Sequence, residues 1–387
     1  MLPRVSLGRT FAVLAKELVQ LRRDRLTFAM MIGVPIMQLI LFGYAINADP
    51  KRLPTAVVAA DQGPLVRSIV RAVENTEYFE VRATATESEA ERLIARGEVQ
   101  FALVFPSDFS TRVLRGERPA LVVFADATDP SATGSAVAAL QQLPTLALMH
   151  DLKGPLAMLA PNAGPQAGGA PGAGPFEVRL HKRYNPEGLT TYNVVPGLMG
   201  VILTMTLVMM TAMAMTRERE RGTLENLLAT PVRPFEVKLG KILPYVIIGY
   251  VQVLIVFIAA RLLFRVPMEG SFALLTAALL LFIVATLCVG FTFSTIARSQ
   301  MQSMQMTMFY FLPNMLLSGF MFPFRGMPRW AQWLGEILPL THFLRMVRAI
   351  MLKGATWTDL VPQAWPITLF IVVVGTVAMI RYRQTLD

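Results

Sequence analysis

Polar and apolar positions divide the chain into several long hydrophobic runs and one region where short apolar runs alternate with polar ones. Six runs approach the roughly 20 residues that a helix rising about 1.5 Å per residue needs to cross about 30 Å of hydrocarbon. The first covers 27–46, "TFAMMIGVPIMQLILFGYAI", and the second 192–215, "YNVVPGLMGVILTMTLVMMTAMAM". The others lie near 241–264, 271–296, 301–322 and 363–380. Gln302, Gln305 and Asn314 interrupt the fifth, which is therefore expected to face protein or a cavity rather than lipid. The first run exceeds the apolar core of a signal peptide and holds Gly33, Val34 and Pro35 at its middle, so it reads as a retained, kinked helix. Ahead of it, Leu7, Phe11, Leu14, Leu18 and Leu21 recur at helical spacing, with Lys16, Gln20 and Arg23 elsewhere on the wheel. That pattern predicts a helix over 1–26 lying in the membrane interface.

The alternating region occupies 48–190. "TAVVAAD", "YFEVRATA", "VQFALVFP" and "PALVVFADATD" read as strands, and "PLVRSIVRAVENT", "SEAERLIARGE" and "SDFSTRVLRGE" as the helices between them. These elements predict an α/β domain with a small sheet, followed by a further helix near 131–150. The stretch at about 154–175 is rich in Gly, Pro and Ala, a composition that buries no core, and reads as an inert linker or a gating segment. "FEVRLHKRY" then resumes a strand that returns to the sheet.

The composition, 54% hydrophobic and only 16% charged in 387 residues, excludes a soluble globule. The expected fold is an α-helical polytopic membrane protein with six transmembrane helices and an extracytoplasmic α/β domain inserted between the first two. Arg4, Arg9, Lys16, Arg22, Arg23 and Arg25 precede the first span and place the N-terminus in the cytoplasm. Six crossings return the C-terminus, with Arg381 and Arg383, to the same side. The region 323–362 runs against this assignment, because it carries Arg325, Arg329, Arg345, Arg348 and Lys353 on the outer side. The net charge of +10 mainly marks flanks that face anionic lipid, and does not imply nucleic acid as a partner. Cys288, the single cysteine, lies in the fourth span, so no intrachain disulfide forms.

Motifs for chemistry are missing from the sequence. A phosphate-binding loop needs G-x-x-x-x-G-K-[ST], and "KLGKIL" lacks its first glycine and its hydroxyl. His150, His181 and His342 lie far apart, with no H-E-x-x-H and no paired cysteines to make a metal site. No G-x-S-x-G elbow is present. The chain is therefore not expected to be an enzyme or to bind a cofactor or metal.

What stands out is "RERERGTLENLLATPVRPFEVKLGK" at 217–241, between two of the most apolar runs. Gly222 permits a sharp turn, Thr223 caps a short helix, and Leu224, Leu227 and Leu228 give it an apolar face. Pro231 ends that helix and Pro234 suits the first turn of the next. Arg217, Glu218, Arg219, Glu220 and Arg221 are equally explained as a solvated helix end with i,i+4 pairing. The leucines are not, and point to burial against a partner or the membrane interface.

This stretch resembles the cytoplasmic signature of ABC-2 type permeases, the membrane subunits of a class of ATP-binding-cassette exporters. "MPRWAQWLGEILPLTHFLRMVRAIMLKG" at 327–354 and "YNPEGLTTYNVVPGLMGVIL" at 184–203 are similar to two further stretches of that family. The resemblance covers nearly the whole chain and implies a bacterial inner-membrane protein. It implies that 1–26 is a connector helix and that about 217–232 is a coupling helix docking on a separate ATPase. Arg217, Glu218, Glu220, Arg221, Gly222, Thr223, Leu224, Glu225, Leu227 and Leu228 are the docking candidates. Two ATPase copies would carry ATP and Mg, and a second permease copy or close paralogue would complete the pore. A periplasmic adaptor is an open further partner.

Met205, Met209, Met210 and Met213 of the second span, with Met301, Met304, Met308 and Asn314 of the fifth, are candidates for lining the path, since methionine adapts to varied apolar ligands. Packing against lipid or core is the competing explanation for each methionine. The segment 323–353 reads as two short helices dipping into the outer interface, with Trp330 and Trp333 as anchors. By resemblance these helices are re-entrant and narrow the exit. Arg345, Arg348 and Lys353 there either snorkel to lipid phosphates or neutralise an anionic substrate. The expected function is export of hydrophobic or amphipathic compounds. Export of a lipid-linked glycan, or a sensor or scaffold with a ligand-binding outer domain, are the alternatives.

Overall fold

The computed structural model describes residues 50–84, 86–148, 174–220 and 234–381. The expected connector helix, the first span, most of the Gly/Pro/Ala-rich stretch and residues 221–233 lie outside the described residues. So does His150.

Five strands form one sheet in the order β2-β1-β3-β4-β5: β1 Leu53–Ala59, β2 Phe79–Thr84, β3 Phe101–Phe105, β4 Ala120–Asp126 and β5 Glu177–Arg183. All neighbours are parallel except β3 and β4. The helices between them are α1 Pro64–Asn75, α2 Glu87–Arg96, α3 Phe109–Leu114 and α4 Pro130–Leu146. Period-two alternation sorts the strand residues between the two faces. Val57, Phe101, Leu103, Phe105, Leu121 and Val123 join a core built with α1, α3 and α4. Ala56 and Ala102 point the other way, and their small side chains let Ala90 and Ile94 of α2 come close. Full burial of each large apolar side chain contributes about 1.5–3 kcal/mol. The strand expected from "FEVRLHKRY" is β5, which pairs along its whole length with β4 and protects its free edge with Glu177, Arg179 and Lys182.

The chain passes from β5 into the helical body through a tight corner. Asn185 is fully buried there. Its Nδ2 donates to the Leu189 carbonyl and its Oδ1 accepts from the Leu189 N–H, both at 2.9 Å.

Beyond the corner the chain is helical: α5 Thr190–Glu220, α6 Pro234–Leu262, α7 Phe272–Ile296, α8 Gln300–Leu317, a 3-10 turn at Phe324–Gly326, α9 Arg329–Ile337, α10 Pro339–Lys353 and α11 Trp357–Arg381. Among the described residues, four helices are long and apolar enough to cross a membrane, at Thr190–Arg217, Pro244–Leu262, Phe272–Ile296 and Trp357–Arg381. The fifth expected span forms α8 but is not among them; its glutamines and Asn314 lower its apolarity.

α5 is central, packed against α6, α7, α8 and α10. Glycines permit several close approaches to it. A Cβ on Gly200 would lie 2.6 Å from Leu340 and 2.7 Å from Phe343, and one on Gly290 would lie 2.8 Å from Thr211 Cβ and 3.0 Å from the Val208 carbonyl oxygen. Phe343 in turn stacks on Phe282 of α7, centroids 4.2 Å apart. α10 starts on Pro339 at its first turn and ends at Gly354, which takes the left-handed conformation. By contrast α6 and α11 leave Ile247, Leu254, Ile255, Leu369, Val372 and Val373 exposed, the pattern of faces turned to lipid or to another chain.

Candidate functional site

Three places hold the residues singled out from the sequence. The first is the end of α5 remote from the sheet. α5 does not stop at Met215, where the second apolar run ends, but continues through Glu220, so the charged run begins as the last turn of a long helix. Arg217 is exposed. The Glu220 carboxylate accepts from the Gln300 N–H at 2.9 Å and its Nε2 at 2.5 Å. An anion at this point complements the N-terminus of α8, whose cap, Ser299, also accepts from the Gln302 N–H. Glu220, one of the docking candidates, joins α5 to α8 within the chain. Glu218 lies on the same helical turn. Arg221, Gly222, Thr223, Leu224, Glu225, Leu227 and Leu228 lie outside the described residues.

The second place is the seam between α5 and α8. The Thr216 and Ser303 hydroxyls meet at 2.8 Å, and Thr216 also donates to the Ala212 carbonyl. Ser303, Thr307 and Asn314 fall within about 40° of one another on the wheel and are buried. The Tyr310 hydroxyl neighbours Asn314. Met301, Met304 and Met308 sit on another side of α8; Met301 is 65% and Met304 43% exposed. Met205, Met209 and Met213 are half-buried and Met210 is exposed. Of the eight residues proposed to line one path, Asn314 is buried, Met205, Met209, Met213 and Met308 are half-buried, and Met210, Met301 and Met304 are exposed. A double-mutant cycle with Thr216→Val and Ser303→Ala is expected to give a coupling of about 0.6 kcal/mol, at most about 1.7, in detergent unfolding. Additive effects would mean that the hydroxyls are not paired.

The third is the segment around α9 and α10. Trp333 is 72% and Trp330 38% exposed on α9. The three basic residues expected to reach lipid phosphates or substrate all have partners within the chain. Arg345 donates to both Glu336 carboxylate oxygens, at 2.6 and 3.1 Å, and lies 4.6 Å over the Phe324 ring. Both terminal nitrogens of Arg348 donate to the Gly319 carbonyl at 3.3 Å. Lys353 donates to Asp126 Oδ2 of the sheet domain at 2.5 Å and to the Ile94 carbonyl at 3.2 Å. α10 is buried on most of its surface, which brings Arg348 and Lys353 against acceptors within the chain, while the Arg345–Glu336 pair stays partly exposed, at 33% and 43%.

Sequence reasoning missed several partners. Asp126, Glu336 and Gln363 were not singled out, and His342 was given only a general polar role. The His342 ring nitrogens lie 2.8 Å from Gln363 Oε1 and from the Glu336 carbonyl. Arg325 donates to the Gly97 carbonyl at 3.0 Å. Burial and the nearby Arg345 and Arg82 draw its guanidinium down to about 10, still charged at neutral pH. A faint signal was available for Asp126 alone: an acidic residue closing the apolar run "ALVVFAD" must find a cation if the strand end is buried.

The sequence profile described as ABC-2 family transporter protein matches residues 25–380. The Probable multidrug ABC transporter permease YbhR of Escherichia coli (strain K12) is 26% identical over 97% of this chain and 98% of its own length. YbhS of the same strain, with the same description, is 25% identical over 91% of this chain and 90% of its own. The Inner membrane transport permease YhhJ, also from that strain, is 30% identical over 86% of each chain. With a profile match spanning most of its length, from before the first apolar run to the end of the last, the chain belongs to the ABC-2 family of transporter proteins.

Proposed function

We propose that the chain is the permease subunit of an exporter for hydrophobic or amphipathic compounds, driven by ATP hydrolysis on two copies of a separate ATPase. The observation that carries this reading is α5. It runs unbroken for 31 residues, about 46 Å at 1.5 Å per residue, from the corner below the sheet to the charged run that opens the "GTLENLLATP" stretch. A push on that stretch therefore tilts a helix that reaches the opposite membrane face. In this reading the chain crosses the inner membrane six times with both termini in the cytoplasm, and the α/β domain stands outside. Residues 217–232 dock on the ATPase, with Glu225 and the leucine face as main contacts. A second copy or a paralogue completes the pathway, and Met301 and Met304 line it from α8. The exposed edge of α9, with Trp330 and Trp333, lies at the outer lipid interface. The descriptions of YbhS and YbhR as probable multidrug permeases support the choice of drug-like substrates.

Glu225→Lys is expected to reduce co-purification of the ATPase at least tenfold while membrane insertion stays at the parent level. Wild-type recovery of the ATPase with this variant would remove the docking role from the stretch. Substrate-stimulated ATP hydrolysis by the purified complex tests the export reading itself.

A further inference from the structure

The contacts between the α/β domain and the helical body converge on a few groups. α2 ends at Gly97, whose φ of 73° closes the helix, and its last carbonyls point at two cations of the helical body. Lys353 reaches the Ile94 carbonyl and Arg325 the Gly97 carbonyl. Lys353 also holds Asp126 at the end of β4 and lies 5.1 Å from the centre of the Tyr184 ring. Its side chain and that of Asp126 are only 9% and 7% exposed. The other oxygen of Asp126 accepts from the Thr128 N–H and hydroxyl, so the carboxylate is satisfied on both sides. A second link joins Asn193, in the first turn of α5, to Asp129, the cap of α4, at 3.1 Å. Arg96 and Asp359 add an outer ion pair at 4.0 Å.

Taken with the Asn185 corner, these contacts fix the domain to α5, to α10 and to the start of α11 at once. A hinged lid requires a slack connection and an interface that water enters easily. Here the described connection, from β5 into α5, is a corner closed by two hydrogen bonds, and the central ion pair is almost dry.

We infer that the α/β domain, α5, α10 and the first turn of α11 form one rigid body, with Lys353 and Arg325 as the positioning residues that seat α2 on the segment around α9 and α10. This rests on the export reading for its consequence: the domain is an extension of the lever and swings with α5, so it follows the ATPase stroke as a whole. A partner seated on it would be moved by each cycle. It does not open and close over the exit like a lid.

Pulsed electron-spin distance measurement decides the point. Labels are placed at Gln142→Cys on α4 and Thr358→Cys on α11, in a Cys288→Ala background. The full chain is used in lipid nanodiscs, alone and with its ATPase, nucleotide-free and trapped with ATP and vanadate. One narrow distance, unshifted between the two states, is expected. Its shift or splitting on trapping would overturn the inference. Lys353→Ala with Arg325→Ala is expected to broaden that distance before any nucleotide is added, and an unchanged narrow distance would take the seating role away from these residues. The charge-swapped pair Asp126→Lys with Lys353→Asp is expected to restore at least part of the narrow distance that either single change loses; no recovery would count against the pair. The chain-only measurements decide the seat even if no ATP-trapped state forms, an outcome that would instead discredit the export reading.

Discussion

Asp126→Ala is expected to lower stability by about 3–5 kcal/mol, because it leaves the Lys353 ammonium in the domain junction with its main anion gone. Most of that figure is the cost of a stranded charge, not the worth of the pair. Two companion variants separate the terms. Asp126→Asn keeps an acceptor for Thr128 and for the ammonium, and should cost markedly less. Lys353→Met removes the charge as well, so Asp126→Leu with Lys353→Met should recover most of the loss, as replacements of buried ion pairs by apolar groups commonly do. Chemical denaturation of the full chain in detergent measures all of these. A loss under about 1 kcal/mol for Asp126→Ala would mean that water reaches the ammonium, and that the junction is far looser than the 9% and 7% exposures indicate.

The contrast between this pair and the rest of the site shows what the sequence could carry. Short apolar, β-branched runs bounded by turn residues located the strands of the described sheet, β1 and β3 being buried along almost their whole length. The length of the apolar runs located the long helices, with Pro234 at the start of α6. Pairings between distant elements left no local trace. Lys353 and Asp126 are separated by 227 positions, and Glu220 and Gln300 by 80. A lysine next to an apolar helix end looks the same in sequence whether it reaches lipid phosphate or a buried aspartate. Rules for flanking charge therefore offered lipid phosphate or an anionic substrate as partners for Arg345, Arg348 and Lys353, while the fold also supplies Glu336, Gly319 and Asp126. The same ambiguity explains why the basic outer segment argued against the topology. Arg325, Arg345, Arg348 and Lys353 have partners within the chain, which lowers their weight as orientation signals, whereas Arg329 is exposed.

The second large effect is expected at Gly290, where α7 crosses α5. Adding one methyl group there brings it 2.8 Å from Thr211 Cβ and 3.0 Å from the Val208 carbonyl oxygen, and neither atom is the free end of a flexible side chain. The helices must separate, so Gly290→Ala is expected to cost about 1–3 kcal/mol and Gly290→Val more. Gly200→Ala meets Leu340 Cδ1 and Phe343 Cδ1 at comparable distances, and since both side chains are fully buried and Phe343 is stacked on Phe282, its cost should be similar. Thermal unfolding of the four purified chains (parent, both Gly290 variants and Gly200→Ala) ranks them. Because α5 carries the motion in the export reading, widening its crossing with α7 should also weaken the link between ATP hydrolysis and transport. Gly290→Ala should then hydrolyse ATP at near the parent rate while moving less substrate per ATP. An equal fall in hydrolysis and transport would instead trace the defect to assembly, and wild-type stability in Gly290→Val would show that α5 and α7 do not approach so closely in the membrane.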